Sequence, residues 1–195
     1  MRLAGCRGPR HPNCAEWRGG CRGPRKRRAW RGAGAPAIQK MRRLAVFVAT
    51  FGYAGLLPFA PGTVGSLAGL LVYAAIRRSG GGPIAELLSI AVLFTAGVSA
   101  GTIAERHFGG DDPGPVIIDE VVGMLITVFL VPVSMSGAIA GFLVFRVFDI
   151  VKPFPAARLE RLRGGWGVMS DDAMAAVYGN LTLRLLWWLI PTWIV

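Results

Sequence analysis

After residue 41, the sequence consists mainly of long apolar segments in which charged side chains are scarce. Charged residues make up 17% of the whole chain and apolar residues 53%, whereas a soluble domain of this size usually carries about 25% charged residues. Apolar segments with so few charges are typical of proteins whose solvent is a lipid bilayer. The pattern therefore predicts an all-α domain, a polytopic membrane bundle of about four to five short helices.

Glycine- and proline-rich breaks divide the apolar part of the chain into segments. Five of them are predicted to be helices: 63–77, 84–104, 120–133, 137–151 and 173–190. The segment 44–60 contains two glycines and a proline, so a re-entrant or interfacial element is expected there instead of a straight span. Fifteen helical residues extend only about 22 Å, less than a hydrocarbon core of about 30 Å, which leaves the number of spans open.

Residues 1–40 differ from the rest of the chain in charge. They hold eleven of the 22 Lys and Arg residues and one acid, Glu16, so residues 41–195 carry a net charge of only +1. The basic character lies in this tail, and a nucleic-acid partner is not predicted for the domain at 41–195. The tail is predicted to be disordered and is interpreted as an over-extended start, with binding to anionic lipid as the alternative.

Five carboxylates are expected to share one membrane face. If the first of five crossings starts on the side of Arg42 and Arg43, all five fall on that side: Asp119, Glu120, Asp149, Asp171 and Asp172. The same side collects seven Lys and Arg residues, against Arg77 and Arg78 on the other. The positive-inside rule then places the acidic face in the cytoplasm.

These five acids are the predicted catalytic residues and metal ligands. Mg²⁺ prefers oxygen ligands and binds through a few carboxylates, water and substrate phosphate, and acids beside membrane segments are costly unless they have a function. The pairs 119–120 and 171–172 are also explained as favourable charges at helix N-termini. Asp149 ends its predicted helix, where the dipole disfavours a carboxylate, so the common face predicts a Mg²⁺ site.

Two basic side chains are predicted to accompany this site. Arg146 and Asp149 are spaced i,i+3 on one helix, so Arg146 either neutralises that acid or binds a phosphate bidentately. Lys152 is predicted to bind phosphate, with a snorkelling interfacial lysine as the alternative.

Two glycine-containing motifs complete the predicted face. The turn at 61–66 opens a helix, and Thr63 and Ser66 are predicted to bind substrate phosphate beside its backbone N–H groups. The alternative is an ordinary helix start capped by Thr63. The Gly-Gly-Trp-Gly run at 164–167 is predicted to be a loop, either over a lipid headgroup or as a flexible connector.

Several stretches of the sequence, in the order in which they occur, resemble the phosphatidylglycerophosphatase A family. They are residues 51–56, Pro58, 61–67, 119–124, 145–155 and 164–172. The resemblance implies Mg²⁺-dependent hydrolysis of phosphatidylglycerophosphate to phosphatidylglycerol and phosphate during phospholipid biosynthesis. It also implies a bacterial inner-membrane protein whose partners are that lipid, other anionic phospholipids and the bilayer.

Two other function classes fit an acid-rich membrane protein. An ion transporter would use the acids to carry cations, but it would place them near the midplane and not at one face. A Mg²⁺-dependent phosphatidyltransferase would show the signature DGxxAR followed by GxxxDxxxD, and this sequence lacks it. The oligomeric state is not indicated.

Overall fold

The structure is a computed structural model that describes residues 36–58, 60–109 and 114–190. These residues form seven α-helices and one 3₁₀ turn, without a β-strand among them, which confirms the predicted all-α class. The helices are α1 (Pro36–Ala49), α2 (Pro61–Arg78), α3 (Pro83–Phe108), α4 (Ile118–Val128), α5 (Met135–Val151), α6 (Ala156–Leu159) and α7 (Gly165–Leu189), and the 3₁₀ turn is Ala54–Leu56.

Helix α4 lies at the centre of the bundle. Nine of its eleven residues are buried, and it packs against α2, α3, α5 and α7. The predicted helix at 120–133 is therefore too long at its C-terminal end, because Leu130 adopts a left-handed φ of 58° and Pro132 follows. Eleven residues extend about 16 Å, so α4 alone does not cross a hydrocarbon core.

Glycines on α2 allow it to approach α4 closely. A β-carbon at Gly65 would lie 2.9 Å from the carbonyl oxygen of Ile117, and one at Gly69 would lie 2.7 Å from the β-carbon of Met124. Small residues at a helix–helix contact are typical of packing in membranes, where close backbone approach supplies van der Waals energy. The α2–α4 contact carries one wall of the site described below.

The buried C-terminal end of α4 is capped by two side chains of α7. The amide nitrogen of Asn180 lies within hydrogen-bonding distance of the carbonyl oxygens of Ile126, Thr127 and Phe129, at 3.1, 2.9 and 2.9 Å. Arg184 donates to the Asn180 side-chain oxygen at 2.7 Å and to Phe129 O at 3.3 Å. Such carbonyls have no partner within their own helix, and a cation there also complements the helix dipole.

The N-terminal boundaries differ from the prediction. Helix α1 already includes residues 36–40, so the predicted division between residues 40 and 41 falls inside a helix, and disorder is wrong for these five residues. The rest of the predicted tail lies outside the described residues. Helix α1 ends at Ala49 and a turn with left-handed Phe51 and Tyr53 follows, so no straight helix runs through 44–60, as expected.

The last long helix begins eight residues earlier than predicted. The run at 164–167 is not a loop, because Gly165 starts α7 and donates its N–H to Thr102 Oγ1 at 2.9 Å. A β-carbon at Gly165 would overlap the backbone of Val98. Glycine at this position therefore permits direct contact between the start of α7 and α3.

One helix among the described residues, α3, is long and apolar enough to cross a membrane by length and composition. Only 22% of its most apolar window is buried inside the bundle, unlike the core helix of a soluble protein. The predicted number of four to five spans stays a prediction.

We expect Asn180→Leu to lower the free energy of unfolding by about 1–3 kcal/mol, because three partly buried carbonyl oxygens at the end of α4 would lose the Asn180 N–H donor. Thermal unfolding of the purified protein in detergent, followed by circular dichroism, measures this loss. Thr182→Val is the matched control, since Thr182 Oγ1 donates only to Tyr178 O of its own helix at 2.9 Å. Equal melting temperatures for the two variants would contradict the capping role.

Candidate active site

Three helices bring acidic side chains to one pocket of about 260 Å³. The first turn of α4 supplies Asp119 and Glu120, the last turn of α5 supplies Asp149, and the second turn of α7 supplies Asp171 and Asp172. The pocket is lined by all five predicted acids, by Arg146 and Lys152, and by Ala60, Pro61, Gly62, Gly114 and Val116. The predicted convergence of acids and bases is therefore present.

Three of the five acids form a tighter group. Asp119, Glu120 and Asp172 each offer a carboxylate oxygen, and these oxygens lie within 4.8 Å of one another. Asp119 and Asp172 are buried, and within the described part of the chain Glu120 Oε2 is buried without a hydrogen-bond partner. Like charges this close in a buried setting repel each other unless a cation or a proton joins them, and three carboxylates are a donor set that suits Mg²⁺.

The predicted pair between Arg146 and Asp149 is formed. Arg146 Nη1 lies 2.7 Å from Asp149 Oδ2, and both side chains are mostly buried. The guanidinium also lies over Gly62, where a β-carbon would be only 2.6 Å from Arg146 Nη1 and 2.8 Å from Glu120 Oε1. Gly62 thus leaves the space that the Arg146 and Glu120 side chains occupy.

Lys152 is fixed by two acids of different elements. It ends α5 in a left-handed conformation with φ of 43°, and its Nζ lies 2.6 Å from Asp171 Oδ2 and 3.5 Å from Glu160 Oε2. Burial lowers the pKa of Lys152, but the hydrogen bond and charge of Asp171, with the charges of Glu160 and Asp172, outweigh it and raise the pKa overall. Lys152 therefore lines the pocket as an ion-paired ammonium, and its contact with phosphate stays a prediction.

Two predicted phosphate-binding residues do not reach the pocket. Ser66 is buried and its hydroxyl donates to Gly62 O of its own helix at 2.9 Å. Thr63 is the third residue of α2 and does not line the pocket. The alternative of Thr63 as helix cap is also wrong, because α2 starts two residues earlier, after Ala60, without a side-chain cap. In this motif, Pro61 and Gly62 line the pocket, and the sequence predicted a phosphate contact for neither of them.

The helix-start explanation survives for only one of the two acidic pairs. Asp119 and Glu120 lie in the first turn of α4, where the dipole favours them. Asp171 and Asp172 are the seventh and eighth residues of α7, beyond the first turn where this effect acts. Local helix electrostatics therefore do not account for the second pair, which faces the pocket.

A sequence model of one protein family, described as phosphatidylglycerophosphatase A, matches residues 47–187. The chain belongs to this family. The matched region contains α2 to α6 and every charged residue that lines the pocket. The family resemblance is thereby confirmed.

Curated relatives cover most of the chain. A candidate phosphatidylinositol-3-phosphatase of Bacteroides thetaiotaomicron is 38% identical over 155 residues, 75% of this chain and 96% of the relative. The phosphatidylglycerophosphatase A of Haemophilus influenzae is 35% identical over 70% of this chain and 85% of its own. The phosphatidylglycerophosphatase A of Escherichia coli is 33% identical over 63% of this chain and 72% of its own. No solved structure matches the chain.

We expect Gly62→Ala to keep the fold but lower phosphatase turnover about ten- to hundredfold. The new β-carbon would displace Arg146 and Glu120, and a misplacement of up to about 1 Å in an active site lowers the rate by this order. The new β-carbon meets the ends of flexible side chains, so Arg146 and Glu120 can move aside without unfolding. Phosphate release from a lipid phosphomonoester, together with thermal unfolding, separates the two effects. Gly82→Ala is the control, as nothing lies within 4 Å of its β-carbon position; equal turnover in both variants would contradict the proposed fit.

Proposed function

We propose that this protein is a Mg²⁺-dependent lipid phosphatase that hydrolyses phosphatidylglycerophosphate to phosphatidylglycerol and phosphate. The observation that carries the proposal is the group formed by Asp119, Glu120 and Asp172 in a pocket that also holds a fixed arginine and a fixed lysine. Membership of the phosphatidylglycerophosphatase A family supports the reaction class and favours it over an ion transporter or a phosphatidyltransferase.

The charge of the pocket supports a resident divalent cation. Five acidic and two basic side chains line it, a formal excess of three negative charges. A phosphomonoester itself carries about −1.5 to −2 at neutral pH, so it would be repelled from the bare pocket. Asp119, Glu120 and Asp172 would hold the ion, with Asp149 and Asp171 as the further predicted ligands. When bound, Mg²⁺ would act as a Lewis acid on the phosphoryl group.

The remaining charged groups have separate tasks in this proposal. The guanidinium of Arg146, oriented by Asp149, binds phosphoryl oxygens through paired N–H donors. Lys152, oriented by Asp171, adds a second positive charge that stabilises the negative charge developing on those oxygens. Water adds to phosphorus while the bond to the lipid oxygen breaks. One of the five carboxylates, left free of the ion, accepts a proton from the water, and the departing lipid oxygen takes up a proton to become the hydroxyl of phosphatidylglycerol.

Exposed apolar side chains support a multi-pass position in the bacterial inner membrane. Each long helix after α1 presents one outward: Leu71 on α2, Val92 on α3, Ile150 on α5 and Trp188 on α7 are 63–78% exposed. On α3, exposed Ile84, Leu87, Leu88 and Val92 follow helical spacing along one side. Soluble monomers rarely expose a contiguous apolar face of this kind. With the loop charges described above, the proposal places the pocket at the cytoplasmic face.

The reaction is tested with purified protein in detergent, phosphatidylglycerophosphate and Mg²⁺, by measuring released phosphate. We expect EDTA to abolish release and added Mg²⁺ to restore it; activity that is insensitive to EDTA would refute the metal-dependent mechanism. Phosphatidylinositol-3-phosphate is assayed in parallel, because the name of the Bacteroides relative indicates that lipid. Faster turnover of the inositol lipid would overturn the proposed substrate while keeping the reaction class.

We expect Asp119→Asn, Asp149→Asn and Asp172→Asn each to lower turnover at least about a hundredfold while leaving the protein folded, since the ion and its ligands supply several kcal/mol of transition-state stabilisation. Phosphate release and thermal unfolding are measured for each. Asp112→Asn is the control and should behave like the parent, because Asp112 lies in a Gly- and Pro-rich stretch of the sequence that is predicted to be a turn, outside the described residues. An active, metal-dependent Asp149→Asn variant would reduce the role of Asp149 to pairing with Arg146.

A further inference from the structure

The connection from α5 to α7 combines exposed aromatic and aliphatic side chains with exposed arginines. Phe154, Leu162 and Trp166 are 68, 48 and 56% exposed. Three exposed arginines lie between them in the sequence: Arg158, Arg161 and Arg163. We propose that this connection, residues 153–166, is a binding surface for anionic phospholipid headgroups that delivers lipid to the adjacent pocket. The inference rests on the proposed function and names the surface that supplies its substrate.

Contacts with α7 and α3 hold the surface in place. Tyr178 of α7 donates its hydroxyl to Phe154 O at 2.8 Å, and α6 packs along α7. At the other end, Trp166 packs edge-on against Phe94 of α3, with ring centroids 6.0 Å apart. The surface therefore presents its arginines from a defined backbone and not from a free loop.

The chemistry of the surface fits a phospholipid headgroup layer. Aromatic and aliphatic side chains enter the boundary between headgroups and acyl chains, whereas arginines remain at the level of the phosphates and bind them bidentately. Arg158 illustrates the combination, because its guanidinium lies 4.7 Å from the centroid of the Phe154 ring. Charge selects the occupant: residues 153–166 hold three arginines and one acid, Glu160. Their net charge of +2 favours an anionic lipid over a zwitterionic one.

The surface adjoins the pocket at Lys152. Glu160 lies 3.5 Å from Lys152 Nζ, and the same ammonium contacts Asp171 of the pocket. Glu160 of the surface therefore contacts a residue that lines the pocket. Arginines at the other end of the bundle are placed differently, since Arg77 is paired with buried Glu86 at 3.3 Å.

The first test measures how turnover depends on the surface concentration of substrate. The full chain is reconstituted in phosphatidylcholine vesicles that contain increasing mole fractions of phosphatidylglycerophosphate. We expect the combined variant Arg158→Gln, Arg161→Gln, Arg163→Gln to raise KM, expressed as a mole fraction, at least about tenfold, with kcat within about twofold of the parent. Arg78→Gln, an exposed arginine on α2, should change neither constant. An unchanged KM in the triple variant, or a fall in kcat alone, would overturn the inference.

The second test does not depend on catalysis. Brominated lipids quench tryptophan, and subtracting the signal of Trp166→Phe from that of the parent isolates Trp166. We expect brominated phosphatidylglycerol to quench Trp166 more than brominated phosphatidylcholine at equal mole fraction, and the triple arginine variant to lose this preference. Equal quenching by both lipids in the parent would refute the surface. If Trp166 of the parent is quenched more by phosphatidylglycerol but the parent releases no phosphate from phosphatidylglycerophosphate, the proposed function fails and the binding surface stands.

Discussion

Mutual repulsion among buried carboxylates is the constraint around which this bundle is arranged. Charges of one sign in a poorly hydrated pocket raise one another's energy far more than they do in water. The fold counters part of that repulsion with its own cations, since Arg146 contacts Asp149 and Lys152 contacts Asp171. The carboxylate oxygens of Asp119, Glu120 and Asp172 lie within 4.8 Å of one another, and the proposed Mg²⁺ would offset their repulsion there.

The pocket depends on how α4 is held. Its N-terminal end carries two of the acids, and its C-terminal end is capped by Asn180 and Arg184 of α7. Because α7 also carries Asp171 and Asp172, the cap and four of the five acids lie on the same pair of helices. A shift of α4 along α7 would break the cap and separate the carboxylates together, so one set of hydrogen bonds maintains the geometry of the site about two to three helical turns away.

The two positively charged regions of the molecule near the pocket have different physical characters. Arg146 and Lys152 are mostly buried and ion-paired, which fixes their positions. Fixed cations suit the stabilisation of a phosphoryl group in the transition state. The arginines of residues 153–166 are exposed beside apolar side chains, which suits weak and reversible contact with many headgroups. A lipid phosphatase needs both, because its substrate arrives by diffusion within a leaflet and reacts in a confined pocket.

Features that depend on local pattern were accessible from the sequence: the helical class, the convergence of the five acids, and the Arg146–Asp149 pair, because apolar periodicity and helix spacing determine them. Tertiary structure alone decided which three acids group, that Lys152 pairs with Asp171, that the hydroxyl of Ser66 turns to its own helix, and that Asn180 caps α4. The start of α7 was also decided by tertiary structure. A run of glycines predicts a loop, but here the missing side chain of Gly165 allows the helix to contact α3. Such features depend on distances between helices that are remote in sequence, and no local pattern encodes those distances.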